Sequence, residues 1–216
     1  MSEGQSTYFD QAAATWDDNP VRVALMQAVT GGIVREVQPT PKMDMLDYGC
    51  GTGLVSVFLA PHVGTVTAAD SCEGMLTVLR QKIDGMGLQT IRAVRLDLER
   101  DPVPDDRYDL IVTNMVMHHV ADTEEMLRKF HRLLRSGGVL CVSDLDTEPG
   151  VFHAPEAAAT VHHHWPSLLL RGWPCNSSGR TPTCEIEWSG SSAPNDFSSG
   201  PLSPWTTRRP LMQTAG

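Results

Sequence analysis

The chain has 216 residues, 41% of them hydrophobic, enough for one core of ordinary domain size. Twenty-six acids against 17 bases leave a net charge of −9, a balance that argues against broad electrostatic capture of nucleic acid. No apolar run approaches the roughly 18 residues of a membrane span, so no membrane partner is expected. The start MSEGQSTYFDQ reads as neither a basic nor an apolar leader. The five cysteines show no CxxC pairing and no metal-ligand spacing, and read as reduced thiols of a cytoplasmic protein.

In chain order, the apolar pattern predicts alternating helices and strands. A helix spans Asn19 to Val37 with Pro20 in its first turn and Leu25, Val29 and Ile33 on one face. Its Gly31-Gly32 pair is a candidate break. A strand over Met43 to Tyr48 runs straight into the glycine-rich GCGTG, and a helix carrying Val55, Phe58 and Leu59 begins near Gly53. The second strand, Thr65 to Ala69, ends in Asp70. Met75, Leu76, Leu79 and Ile83 stripe the helix that follows. The third strand, Ile91 to Leu96, ends at Asp97, and the fourth, Tyr108 to Asn114, is a nearly unbroken apolar run of the kind a parallel strand covered on both faces requires. Asp122 caps a helix that buries Met126, Leu127, Phe130, Leu133 and Leu134, with Glu125 at capping-box spacing. Ser136-Gly137-Gly138 is expected to end it, and Val139 to Leu145 forms a fifth strand. Strand and helix in repeated alternation make an α/β fold, a doubly wound and mostly parallel sheet with helices on both faces.

In such a sheet the ligand lies beyond the carboxyl ends of the strands. There the glycines Gly49, Gly51 and Gly53 permit a sharp turn and close approach of a ligand to the backbone. Acidic residues stand at three successive strand ends, Asp47, Asp70 and Asp97, and Asp70 follows Gly49 at the spacing that suits a carboxylate binding two ribose hydroxyls. A dinucleotide would bring its pyrophosphate to this loop, where Asp47 opposes the charge and Leu54 stands in place of the third glycine of GxGxxG. A nucleoside carrying positive charge and no phosphate fits better. S-adenosyl-L-methionine is such a ligand.

The motifs together resemble those of the class I S-adenosylmethionine-dependent methyltransferases, of the small-molecule, ubiquinone/menaquinone-biosynthesis-like kind. LDYGCGTG is similar to the family's first motif, AADSCEGML to its second and RLDLE to the adenine-side turn; YDLIVTNMVMHHV and LLRSGGVLCVSDLD are similar to the fourth and fifth strands. The opening YFDQAAATWDDNP resembles a lead segment that folds over the cofactor. The resemblance covers about residues 7–164. It implies methyl transfer to a small-molecule acceptor, with Asp47, Gly49 and Gly51 beside the methionine moiety, Asp70 on the ribose hydroxyls and Ser71 and Met75 flanking the adenine. Asp97 would accept from the adenine amino group and Leu98 would donate its backbone N–H. Asn114 and Met115 would border the methionine end.

Methyl transfer is an in-line displacement in which holding the acceptor about 3 Å from the methyl carbon dominates. A base is needed only when the acceptor loses a proton. The candidates are His118 and His119 just past the fourth strand and Asp144 and Asp146 at the end of the fifth, with packing or orienting as the other role open to the histidines. Phe9 and Trp16 read either as an aromatic lid or as a staple for the first long helix. His162, His163 and His164 with Cys175 and Cys184 match no common zinc spacing, so no metal is expected.

Three segments follow: a lid-like helical segment over 1–40, the cofactor-binding α/β domain over 41–150 and an atypical tail over 151–216. Four acids and four bases balance in the tail, and from residue 161 onward there are seven of the 15 prolines, four of the five tryptophans and no lysine. After His164 the family resemblance stops. A diverged folded cap with alternation over Thr183 to Trp188, a disordered extension, and the product of a reading-frame shift near residue 164 all remain open. A tail that adds no strand would leave the fifth strand as an exposed apolar edge, a route to dimerisation or aggregation. A domain damaged in this way could bind S-adenosylmethionine without turning it over.

Overall fold

The computed structural model describes residues 3–144 together with the strands at 168–171 and 186–188. The elements are α1 (Glu3–Ala12), a 3-10 turn (Ala13–Asp18), α2 (Pro20–Val37), β1 (Asp44–Tyr48), α3 (Leu54–Leu59), β2 (Thr65–Asp70), α4 (Glu73–Met86), β3 (Ile91–Arg95), β4 (Tyr108–Asn114), a 3-10 turn (Met117–His119), α5 (Thr123–Leu133), β5 (Leu134–Ser143), β6 (Leu168–Arg171) and β7 (Ile186–Trp188).

The sheet has the order β3-β2-β1-β4-β5-β6-β7. Strands β1 to β5 are parallel, and the chain reverses its direction of travel across the sheet between β1 and β4. A crevice opens at that switch point, beyond Tyr48 and Asn114. Alternation along the strands divides the core: Met45 and Leu110 pack with Met26, Leu59, Leu76 and Leu79 on one face, Leu46 and Ile111 with Met126, Phe130 and Leu133 on the other. Both faces of β1 and β4 are therefore covered, which is why β4 reads as a nearly unbroken apolar run.

The helix starts follow their caps. Asn19 Oδ1 accepts from the amides of Val21 at 3.0 Å and Arg22 at 3.2 Å, ahead of Pro20 at the first helical position. Asp122 Oδ1 accepts from the Glu125 amide at 2.9 Å.

Several details differ from the sequence expectations. Helix α2 runs unbroken through Gly31-Gly32, because Thr30, Ile33 and Val37 on either side of the pair are buried against the core and hold both halves in line. Its inward face is Met26, Thr30, Ile33 and Val37, whereas Leu25 is 45% exposed at the mouth of the crevice. Ser136-Gly137-Gly138 does not form a turn between helix and strand. It lies inside β5, where the pairing shifts from Tyr108–Leu134 to Leu110–Val139 and Gly137 takes φ 79°, a bulge rather than a helix stop.

The fifth strand is also not the sheet's edge. Val139–Val142 of β5 pair antiparallel with β6, and β6 pairs antiparallel with β7. The exposed-edge route to dimerisation is thereby removed along that stretch, since its backbone groups are already taken. The histidine run at 162–164, Cys175, Cys184, Asp146 and the choice among the readings of the tail lie outside the described residues.

Candidate active site

The glycine loop between β1 and α3 is built on positive φ values, 74° at Gly49, 55° at Gly51 and 81° at Gly53. The three glycines do different things. A Cβ on Gly49 would lie 2.2 Å from Val116 Cγ2, and one on Gly53 would lie 2.3 Å from Leu79 Cδ1, so these two allow close packing beneath the loop. A Cβ on Gly51 would meet nothing within 4 Å, because Gly51 faces the open cavity.

That cavity measures about 510 Å³, the size range of small-ligand sites. Asp47, Gly49, Gly51, Asp70, Ser71, Met75, Asp97, Asn114, Met115 and His119 all line it. Gly53, Leu98, His118 and Asp144 do not.

Each strand-end acid has a distinct local setting. Asp47 is 1% exposed and its Oδ2 accepts from Ser56 Oγ at 2.6 Å. Burial first, opposed by the Ser56 hydrogen bond, and then the nearby Asp70 charge push its carboxyl up to about 7. Asp70 Oδ2 accepts from the Gly51 amide at 2.8 Å and Oδ1 from the Cys72 amide at 2.8 Å. Burial raises its pKa as well, against the pull of those amides. Asp97 Oδ1 accepts from the Glu99 amide at 3.0 Å, which closes the turn after β3. Among the described residues, the cavity wall carries Asp47, Asp70, Asp97 and Glu99 against a single arginine, Arg22. This acidic lining favours a ligand that carries positive charge.

Four of the candidate residues have distinct settings. The Leu98 amide donates to Tyr48 Oη at 3.0 Å with Leu98 fully buried, so a phenol takes the N–H assigned to the adenine. His118 points inward and pairs through Nδ1 with Asp144 Oδ1. Asp144 Oδ2 meanwhile accepts from the amides of Val116 at 3.0 Å and Met117 at 2.6 Å, so this dyad pins the loop after β4. His119, the next residue, turns to the cavity and packs edge-on to Phe9 with ring centroids 5.7 Å apart.

The N-terminal segment covers one side of the cavity, contributing Tyr8, Phe9, Trp16, Arg22, Leu25 and Met26. Its attachments are polar and were not legible in the sequence. Asp10 Oδ1 accepts from the Gly74 amide at 2.7 Å, at the start of α4. Thr52 Oγ1 donates to Asp17 Oδ1 at 2.6 Å, Lys82 Nζ forms an ion pair with Asp17 and also donates to the Thr52 carbonyl at 2.7 Å. Arg22 stacks on Trp16 at 3.8 Å from the ring centroid. The one sequence signal for Ser56 was a lone hydroxyl in the otherwise apolar LVSVFL of α3.

A family described as "Methyltransferase domain" matches residues 46–142, from β1 through β5. A ubiquinone biosynthesis O-methyltransferase of Dinoroseobacter shibae is 30% identical over 76% of this chain and 72% of its own length. The chain belongs to the class I S-adenosylmethionine-dependent methyltransferases. S-adenosylmethionine is the cofactor of this methyltransferase, and the acidic, phosphate-averse cradle around Gly51 fits it. An uncharacterized methyltransferase of Schizosaccharomyces pombe is 33% identical over 56% of this chain, which spans about half the length of that relative (47%). The fold is similar to that of a SAM-dependent methyltransferase from Aquifex aeolicus, with a TM-score of 0.56, 21% identity and coverage of 70% of this chain and 78% of the other. Among the described residues no cluster of three metal-ligating side chains occurs, and no helix is long and apolar enough to cross a membrane.

Proposed function

We propose that this methyltransferase alkylates a small-molecule acceptor, and that the cofactor lies along the carboxyl ends of β1, β2 and β3. The observation that supports the reading is that Asp47, Asp70 and Asp97 line one cavity with Gly51, the loop glycine that faces open space and whose amide Asp70 accepts. The cofactor supplies an activated methyl group on a positively charged sulfur. Asp70, already oriented by the Gly51 and Cys72 amides, keeps lone pairs for the ribose hydroxyls. Asp97 serves the adenine amino group, with Ser71 and Met75 beside the ring. Asp47 balances positive charge at the methionine end, and Asn114 and Met115 border that end through their backbone.

The N-terminal segment over 1–40 acts as a lid. Its Phe9, Trp16, Leu25 and Met26 exclude water from the acceptor half and hold the acceptor in line with the methyl carbon. His119, on the cavity wall, takes the proton from an acceptor that must lose one, whereas His118 and Asp144 position the loop that carries it. Relatives similar in sequence include a ubiquinone biosynthesis O-methyltransferase and a demethylmenaquinone methyltransferase, which supports a small-molecule acceptor.

Calorimetric titration with S-adenosylmethionine and with NADH tests the reading. Saturable binding of the methyl donor alone, weakened in Asp70→Ala, is the expected result. Preferential binding of NADH, or uptake of neither by a folded chain, would overturn it.

A further inference from the structure

Ser56 is the third residue of α3 and is fully buried, the one polar side chain of LVSVFL. A buried hydroxyl is costly unless it finds a partner. Serine and threonine inside helices commonly return theirs to the carbonyl four residues back. Thr30 does so in α2, donating to the Met26 carbonyl at 2.7 Å, and Thr77 does so in α4, donating to that of Glu73 at 2.9 Å. Ser56 does not. The carbonyl four residues back, that of Thr52, receives Lys82 Nζ at 2.7 Å, while the Ser56 hydroxyl crosses to β1 and donates to Asp47 Oδ2 at 2.6 Å. That length is typical of an O–H bonded to a charged carboxylate.

A buried carboxyl sheds its charge by taking up a proton unless donors hold it ionised. The other groups around Asp47 do not hold it. Asp70, from β2, is a second acid and opposes the charge, and Cys50, from the loop, stays a neutral thiol because burial keeps it well above its ordinary range. The strands paired on either side set Ala68 and Val112 opposite Asp47. Arg22 of α2 is engaged with Trp16, and Lys82 of α4 with Asp17. Among the described residues, Ser56 is the one side chain that donates a hydrogen bond to Asp47.

Resting on the cofactor placement above, we propose that Ser56 is a positioning residue of the cofactor site, whose hydroxyl keeps the Asp47 carboxylate available as a charged and oriented group. The cationic methionine end of S-adenosylmethionine then meets a counter-charge over a wider pH range than burial alone would leave. Ser56 does not line the cavity and acts only through Asp47.

Calorimetric titration of S-adenosylmethionine into the full chain at pH 6, 7, 8 and 9 tests this. Ser56→Ala should bind about tenfold more weakly than the wild type at pH 6, the factor expected for one hydrogen bond to a charged acceptor. The gap should close toward pH 9, where Asp47 is ionised in both. A residue that only packed α3 would weaken binding by the same factor at every pH. Ser56→Thr, which keeps the hydroxyl, should follow the wild-type profile. In an Asp47→Asn background, Ser56→Ala should change affinity by less than about twofold.

A gap that is equal at all four pH values, no gap at all, or the same gap in the Asp47→Asn background overturns the proposal. Where Ser56→Ala does not fold, Ser56→Thr and Ser56→Val decide the matter, since they are alike in shape and differ in the hydroxyl. The valine profile should be shifted and the threonine profile should not; equal profiles overturn the proposal. A wild-type chain that takes up no S-adenosylmethionine at any pH defeats the cofactor placement itself, and this inference with it. A wild-type chain that binds it, beside a Ser56→Ala profile that does not move, defeats only the role of Ser56.

Discussion

Asp70 Oδ2 receives the Gly51 amide at 2.8 Å, so the carboxylate at the end of β2 holds the very residue of the glycine loop that faces the cavity. Its other oxygen receives the Cys72 amide and holds the start of α4. One side chain therefore shapes the loop and presents acceptor capacity to a ligand. Asp70→Ala removes both hydrogen bonds to a charged acceptor, each worth about 1.5–3 kcal/mol. Affinity for S-adenosylmethionine should fall at least about 100-fold by calorimetry. Asp70→Asn should lose less, since an amide oxygen still serves one of the two backbone donors.

The buried Asp47 makes the site pH-dependent. Its carboxyl is pushed from an ordinary 3.8 up to about 7, chiefly by burial. The fold thus favours the protonated form, and the free chain loses stability as pH rises from near 4 through about 7. Cationic charge beside Asp47 reverses the preference, so cofactor binding should expel a proton below neutrality. Binding should tighten from pH 6 to pH 8, with calorimetric enthalpies at pH 6 that vary with the buffer's ionisation heat. Both effects should be much reduced in Asp47→Asn.

The parallel sheet and the strand-end acids were legible because short apolar segments alternate with helical periodicity, β4 is nearly unbroken in its apolar run, and an Asp stands at or near the end of β1, β2 and β3. Asp47, Asp70 and Asp97 could be placed on one edge of the sheet from that alone. What was not legible came from contacts between distant segments. Tyr48 takes the Leu98 amide across 50 positions, and no local pattern announces it. His118 and His119 lie in a 3-10 turn, too short for periodicity to tell the inward ring from the one at the cavity. The antiparallel β6 is a run of three leucines and an arginine with no alternation to mark a face. The Thr52–Asp17–Lys82 group joins three elements, and each member reads alone as an ordinary surface residue.

That last group should control how firmly the N-terminal segment closes. Asp17 and Lys82 are partly buried, with side chains 26% and 22% exposed, so their pairing is less screened than a surface ion pair. Asp17→Ala leaves the Lys82 ammonium and the Thr52 hydroxyl without that partner. Amide hydrogen exchange over α1 and the following 3-10 turn should accelerate several-fold, while β1 and β4 keep their protection. Release of bound S-adenosylhomocysteine should quicken in parallel. Unchanged exchange in the N-terminal segment would show that Asp10 and the Arg22–Trp16 stack hold the lid without this anchor.

The contact between Gly49 and Val116 separates steric from conformational cost at the loop. In Gly49→Ala the new Cβ meets Val116 Cγ2 at 2.2 Å, and φ at this position is 74°. Val116 cannot swing away freely: it is β-branched, and its amide is held by Asp144. Overpacking should cost about 1–3 kcal/mol, and the left-handed backbone about 1 kcal/mol more. Adding Val116→Ala should recover the steric part and leave the backbone part, a coupling that chemical denaturation of the two single variants and the double variant measures directly. If the two substitutions were simply additive, the loop and the segment after β4 would not be packed against each other, and the arrangement that brings Asn114, His119 and Gly51 to one cavity would lose its basis.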